Sequence, residues 1–348
     1  MQAGGYEIKA PQAVLAALAV VTLSALVFGA ATSAAAFGAF NPSWEGTTDI
    51  RGVASDAGAE TVVVDNTTEY EAYGNGTVAV VLAPNESYTE TEIDRVEAFL
   101  ERGGTLLVAD RGGTGNELLA ALGIEARVDG NLLRDDRNYY RAPALPRATN
   151  VEQHPLTEDV DGLTLNYGTV VDPGGSTVLV SSSNVSYLDR NGNGAVDGNE
   201  QLRSYPVATT ENVSAGRVVV VGDASAFINA MAERPGNRQF ARNVFSEADT
   251  VVVDTSHSGG VPPLVAALLT VRGSPVLQFG LVGVGLLVVF GWQRRAFDRG
   301  DEDELRRRPS PETLADSAAD RYPAFDRSRV RRLMEGIKSI NFQRRDDE

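Results

Sequence analysis

The sequence predicts an α/β fold, a largely parallel three-layer sandwich outside the membrane, flanked by two transmembrane helices. Three observations carry that expectation. Short β-branched runs recur at Thr61–Asp65, Val78–Ala83, Thr105–Ala109, Thr177–Ser182, Arg217–Gly222 and Thr250–Asp254. Several are continuously apolar rather than alternating, the pattern of strands covered on both faces. Helix signals fall between them, and two long uncharged runs bracket the whole.

The first uncharged run lies between Lys9 and Glu45, with an Ala-, Val- and Leu-rich core from Val14 to Phe37. It predicts a membrane helix over 12–37 behind a short cytoplasmic N-terminus, 1–11. Its apolar length exceeds the ~7–15 residues of a signal core, which favours a retained anchor over a cleaved leader.

The domain follows, over 38–260. Thr89 and Glu92 form a capping box ahead of an apolar stripe of Ile93, Val96, Phe99 and Leu100, so a helix starts there. Gly103-Gly104 ends it and Thr105 opens the next strand. After Asp110, the turn Arg111-Gly112-Gly113-Thr114-Gly115 leads into a helix over Asn116–Leu122. Strand and helix alternate here, as in a right-handed βαβ arrangement. The segment 129–175 is polar and gives no clear element.

Past the domain, 261–274 is apolar with Pro262 and Pro263 and predicts an interfacial helix. Val276 to Trp292 predicts the second span, over 275–293. Arg294, Arg295 and Arg306–Arg308 follow, which places the 294–348 tail, and with two spans both termini, in the cytoplasm. In that tail Val330, Leu333, Met334 and Ile337 recur at helical spacing among basic residues, as in a short amphipathic helix for the inner leaflet or a partner.

Charge narrows the function classes. The chain has 47 acidic and 31 basic residues and a net charge of −16, and only Lys9 and Lys338 are lysines. Residues 37–260 hold 33 acids and 15 bases, so the acidity sits in the domain. Such a surface suits molar salt, the habitat of a halophile, and argues against nucleic acid as a partner. There is no cysteine, which removes disulfides, thiolate nucleophiles and Cys metal sites together. Five N-x-S/T sequons, at Asn66, Asn75, Asn85, Asn184 and Asn212, fall within the domain and none after the second apolar run. They are glycosylation candidates on an outer face.

The sharpest motif runs from Asp189 to Glu200. Asp189, Asn191, Asn193, Ala195, Asp197 and Glu200 occupy positions 1, 3, 5, 7, 9 and 12 of a calcium loop, with Gly194 at the turn position. Calcium is a hard cation that takes six to eight oxygens, and this spacing supplies them. The flanks are Ser-, Val- and Tyr-rich, so the loop joins strands rather than paired helices, and Ca2+ there has a structural role.

The runs VAVVLAPNESYTETEIDRVEAFLERGGTLLVAD and GRVVVVGDASAFINAMAERPGNRQFARNVF resemble the archaeal membrane family built on the domain of unknown function 4350. That resemblance implies a class I glutamine amidotransferase-like, or flavodoxin-like, fold. It carries Asp223, Asn229 and Asn237 over as cleft candidates, and implies a membrane-protein partner such as ABC-type export machinery or an ATPase module. The absent Cys excludes amidotransferase chemistry, and no G-x-S-x-G elbow replaces it.

Open α/β sheets bind ligands at the carboxyl ends of their strands. That rule adds Asp110, Arg111, Gly112, Gly113 and Gly222 beside Asp223 as cleft candidates. His154 and His257 read as solvated loop residues. The expected function is a non-enzymatic accessory protein anchored in the lipid bilayer, its outer domain binding a ligand or partner. The alternatives are a hydrolase using the sheet-edge carboxylates and a structural cell-surface glycoprotein.

Overall fold

The computed structural model describes residues 10–258 and 261–307, with short pieces at 2–3, 6–7, 328–329 and 332. The amphipathic helix expected around Val330–Ile337 lies outside the described residues. The chain divides into two units, 1–268 and 269–348.

Helix α1 spans Ala10–Ala31. Its stretch Ala13–Ala31 is, among the described residues, the one helix long and apolar enough to cross a membrane. The expected span over 12–37 therefore ends earlier. Thr32 Oγ1 donates to the Phe28 carbonyl at 2.9 Å, and the chain then turns onto the domain, burying Ala39 and Asn41. The expected two-span architecture is corrected as well. A final helix covers Pro275–Arg307, but its apolar part, Pro275–Gly291, reaches only about 26 Å at ~1.5 Å per residue. That is short of the ~30 Å hydrocarbon core. A shorter helix, Pro263–Gly273, precedes it in the chain.

After α2 (Ile50–Asp56), the domain alternates β1 (Glu60–Val64), β2 (Thr77–Leu82), α3 (Glu90–Glu101), β3 (Thr105–Ala109) and α4 (Thr114–Ala121). It continues through β4 (Leu132–Asp135), β5 (Asn150–Val151), β6 (Thr177–Ser181), β7 (Ser186–Asp189), β8 (Pro206–Val213) and β9 (Gly216–Val221). Helices α5 (Asn229–Ala232) and α6 (Pro235–Phe245) lead to β10 (Thr250–Asp254). The eight-stranded sheet has the order β1-β10-β2-β3-β9-β8-β6-β5. Its first four pairings, from β1 to β9, are parallel. The last three, through β8, β6 and β5, are antiparallel. Strands β4 and β7 form a separate antiparallel pair.

Two cores flank the sheet. On one face Phe99, Leu100, Leu118 and Leu119 of α3 and α4 pack with Tyr70. On the other, Ile50 and Val53 of α2 pack with Phe240, Val244 and Phe245 of α6. This is the expected three-layer sandwich; among its parallel strands β2 is buried throughout and β3, β9 and β10 nearly so, while β1 at the edge is only partly buried.

Helix α3 starts where its capping box predicts. Glu92 Oε2 accepts the Thr89 backbone N–H and the Thr89 hydroxyl, both at 2.8 Å. Glu92→Ala is expected to destabilise the domain by about 1 kcal/mol, the usual cost of a lost cap; a shift of the urea midpoint checks it.

Candidate functional site

After β2 and β3 the chain turns to helices on one face of the sheet, and after β9 to α5 and α6 on the other. The boundary between β3 and β9 is therefore the switch point at which open α/β sheets form a crevice. Asp110, Arg111, Gly112 and Gly113 follow β3, and Gly222 and Asp223 follow β9. The structure thus brings these six residues to one edge.

The two carboxylates there are buried, Asp110 at 6% exposure and Asp223 at 1%. Asp110 accepts from the backbone N–H groups of Arg111 at 2.7 Å and Gly115 at 3.0 Å, fixing the turn into α4. Asp223 accepts from Asn166 N–H at 2.6 Å and Ser225 N–H at 2.8 Å. Burial pushes the Asp223 carboxyl up to about 7, against the pull of those hydrogen bonds and of the Arg111 charge. Burial also raises Asp110, which its own N–H donors partly offset.

The segment that sequence patterning left unplaced covers this edge. Thr169 N–H donates to the Gly222 carbonyl at 2.8 Å. Gly130 N–H donates to Thr169 Oγ1 at 3.0 Å. A Cβ on Gly168 would lie 2.8 Å from Asp223 Cβ, and one on Gly222 would lie 2.5 Å from the Thr169 carbonyl oxygen. Residues 166–170 thus occupy the approach to Asp223 with backbone.

Asn229 and Asn237 stand elsewhere. Asn229 Oδ1 accepts the Asp49 N–H at 2.9 Å, and its amide donates to the Asn41 and Ser43 carbonyls. Asn237 Oδ1 accepts Thr164 N–H at 2.8 Å, and its amide donates to the Thr164 and Ala226 carbonyls. Both clamp segments of chain together.

Sequence reasoning also missed a cluster beyond β10 and β2. His257 was expected in solvent, yet it is 7% exposed and stacks on Tyr88 at 3.7 Å. Its Nδ1 lies 2.7 Å from Ser256 Oγ and its Nε2 3.4 Å from Glu92 Oε2. The neighbouring charge and hydrogen bonds hold Glu92 below the ordinary carboxylate range, the Thr89 N–H foremost. Nothing in the local pattern around Ser256-His257 signals this, because Glu92 and Tyr88 arrive from another strand connection. His154 is half-buried, and its Nδ1 accepts Leu156 N–H at 3.1 Å as a cap.

A groove of about 300 Å3 lies between Tyr139, Tyr140, Arg147, Gly162 and Arg234. Arg234 lies over the Tyr140 ring and donates to its hydroxyl at 2.9 Å. All five sequon asparagines are exposed. Among the described residues, no three His, Asp or Glu side chains converge as a ready metal cluster.

In the 189–200 loop, Gly194 N–H donates to Asp189 Oδ2 at 2.9 Å, and Arg190 N–H to Glu200 Oε1 at 2.8 Å. The amides of Asn191 and Asn193 donate to Asp197 Oδ2, and Ala195 N–H donates to Asn193 Oδ1.

Among solved structures the chain is similar to the mmIFT52 N-terminal domain, at 16% identity, over 52% of this chain and 80% of that one, with a TM-score of 0.41. It is similar to the cytoplasmic protein STM3548 from Salmonella typhimurium, at 11% identity, over 58% and 86%, with a TM-score of 0.39. A β-galactosidase from the Antarctic haloarchaeon Halorubrum lacusprofundi is similar at 16% identity, over 49% of this chain and 22% of that one, with a TM-score of 0.31. Comparison with curated proteins finds no match. The family model for the domain of unknown function DUF4350 matches residues 39–245, the body of the sheet and both helix layers, and the chain belongs to that family.

Proposed function

We propose that this protein is a non-enzymatic, membrane-anchored accessory protein whose outer domain, a glutamine amidotransferase-like fold without the catalytic Cys, binds a protein partner. The observation that carries this reading is the use of Asp110 and Asp223: both carboxylates are spent on backbone N–H groups, and the chain's own 166–170 segment lies over Asp223. Helix α1 supplies the anchor, and the acidic domain lies on the outer face of the membrane. The Tyr139–Arg234 groove offers aromatic and Arg groups, the residue types that dominate binding energy at interfaces. The partner class is a membrane protein or an ATPase-linked assembly such as an ABC-type transporter.

The test is an affinity pull-down of the detergent-solubilised chain in molar salt. Wild type is compared with Tyr139→Ala plus Arg147→Ala, both exposed positions. A defined partner that the double variant loses at least tenfold supports the reading. Equal recovery by both removes the groove from it, and recovery of no partner by well-folded wild type removes the accessory role.

The Ser256–His257–Glu92 contacts favour a second reading, a cell-surface hydrolase in which His257 draws the Ser256 proton. Turnover of an activated ester that Ser256→Ala abolishes would support it. The exposed sequons favour a third, a structural glycoprotein, testable by a mass decrease on deglycosylation.

A further inference from the structure

Asp189 and Glu200 sit at the two ends of an otherwise exposed loop, yet they are only 4% and 8% exposed. Asp189 Oδ1 is buried without any hydrogen-bond partner. An unsatisfied buried carboxylate oxygen is costly, and a second buried carboxylate in the same loop compounds it. The nearby cations do not resolve this. Arg134 Nε stands 3.8 Å from Asp189 Oδ2, the other oxygen, and also donates to Tyr187. Arg190 turns away to Asp129 at 3.8 Å.

We infer that the loop binds Ca2+ through Asp189, Asn191, Asn193, the Ala195 carbonyl, Asp197 and Glu200, closing on the ion from an arrangement in which the three carboxylates do not yet converge. Asp189 Oδ1 is the orphan acceptor that the ion satisfies. Glu200 already reaches back across the loop, accepting Arg190 N–H with Oε1 and Asp197 N–H with Oε2. The Asn191 and Asn193 amides now bridge to Asp197 with protons, where a cation bridges the same groups directly. A donor set of three carboxylates, two amides and a carbonyl suits a hard, flexible-shell ion better than Mg2+. Gly192 and Gly194, at φ of +71° and +75°, give the turn its left-handed backbone.

The ion would brace the cover of the switch point. Strand β7 enters the loop and pairs with β4. Arg190 and Asp129 tie the loop to the Gly130 turn that holds Thr169 over Gly222. The site is therefore structural, and its expected affinity is on the order of 10⁻⁴ M, in the range of extracellular modules.

The experiment is thermal unfolding of the full chain, chelator-stripped, in detergent and molar KCl at fixed ionic strength. Addition of ~10 mM Ca2+ is expected to raise the domain midpoint by about 5 °C or more, from mass action at ~100-fold over the dissociation constant. Glu200→Gln keeps one acceptor oxygen, for either the Arg190 or the Asp197 N–H but not both, loses the bidentate carboxylate, and is expected to weaken binding at least tenfold. Tb3+ added as a probe and excited through tyrosine reports the loop directly, since the Tyr187 hydroxyl donates to the Gly194 carbonyl at 3.2 Å. Sensitised emission from wild type that Glu200→Gln loses supports the site even where that variant is less stable. No midpoint shift with Ca2+, an equal shift with Mg2+, or equal Tb3+ emission from both chains overturns it.

Discussion

Asn237→Ala is expected to destabilise the domain by about 3 kcal/mol or more, from three buried backbone groups each left unsatisfied at ~1–3 kcal/mol. Asn237 is 3% exposed on the first turn of α6. Its side chain satisfies Thr164 N–H, the Thr164 carbonyl and the Ala226 carbonyl, so its capacity is used across two separate loops. Alanine can supply none of these, and the position is buried. Asn237→Asp keeps the acceptor for Thr164 N–H but sets a carboxylate against two carbonyls, so it too is expected to be costly. A urea titration with an unchanged slope and a lowered midpoint is the expected result. A midpoint within about 0.5 kcal/mol of wild type, the range of ordinary surface changes, would return Asn237 to the list of ligand contacts.

Domain stability is expected to fall between about pH 4 and pH 7 by a few kcal/mol through Asp223 alone. Its folded carboxyl is raised to about 7, against ~3.9 in an unfolded chain. A raised carboxyl means that the folded state binds the extra proton across that window. Its contribution is fully present below about pH 4 and is lost as pH rises through 7, at ~1.36 kcal/mol per unit. Asp110, also raised by burial, acts in the same direction. Asp135 and Glu92 act oppositely: hydrogen bonds hold both below the usual range, so their stabilisation is present at neutral pH and lost in acid. The difference between wild type and Asp223→Asn isolates the first effect. The variant is expected to lose ground relative to wild type as pH falls from 8 to 5. Parallel pH curves for the two would show that Asp223 is charged throughout.

The N-terminal apolar helix and the loop spacing were readable because they are local, while the second expected span was not sustained, its apolar part being only Pro275–Gly291. A run of apolar residues states its own length, and the twelve positions from Asp189 to Glu200 are contiguous. The strands from Thr105 to Ala109 and Thr250 to Asp254 were legible to the residue, because their centres, Leu106–Val108 and Val251–Val253, are buried and continuously apolar. Strand β8 was less so: the run from Gln201 to Thr210 reads equally as strand or loop, and antiparallel pairing with β9 makes Pro206–Val213 strand.

What the sequence determined by itself was chemistry that needs no neighbour: the acidity, the missing thiol, one apolar helix, the capping box and the calcium-type spacing. Only the tertiary structure decided which polar groups meet. It turned Asn229 and Asn237 from cleft candidates into clamps. It buried His257 against Tyr88 and Glu92, and it laid residues 166–170 over Asp223. Each of these contacts joins residues tens to more than a hundred positions apart. Such contacts are set by the sheet order, in which β10 inserts between β1 and β2, and no local periodicity encodes that order.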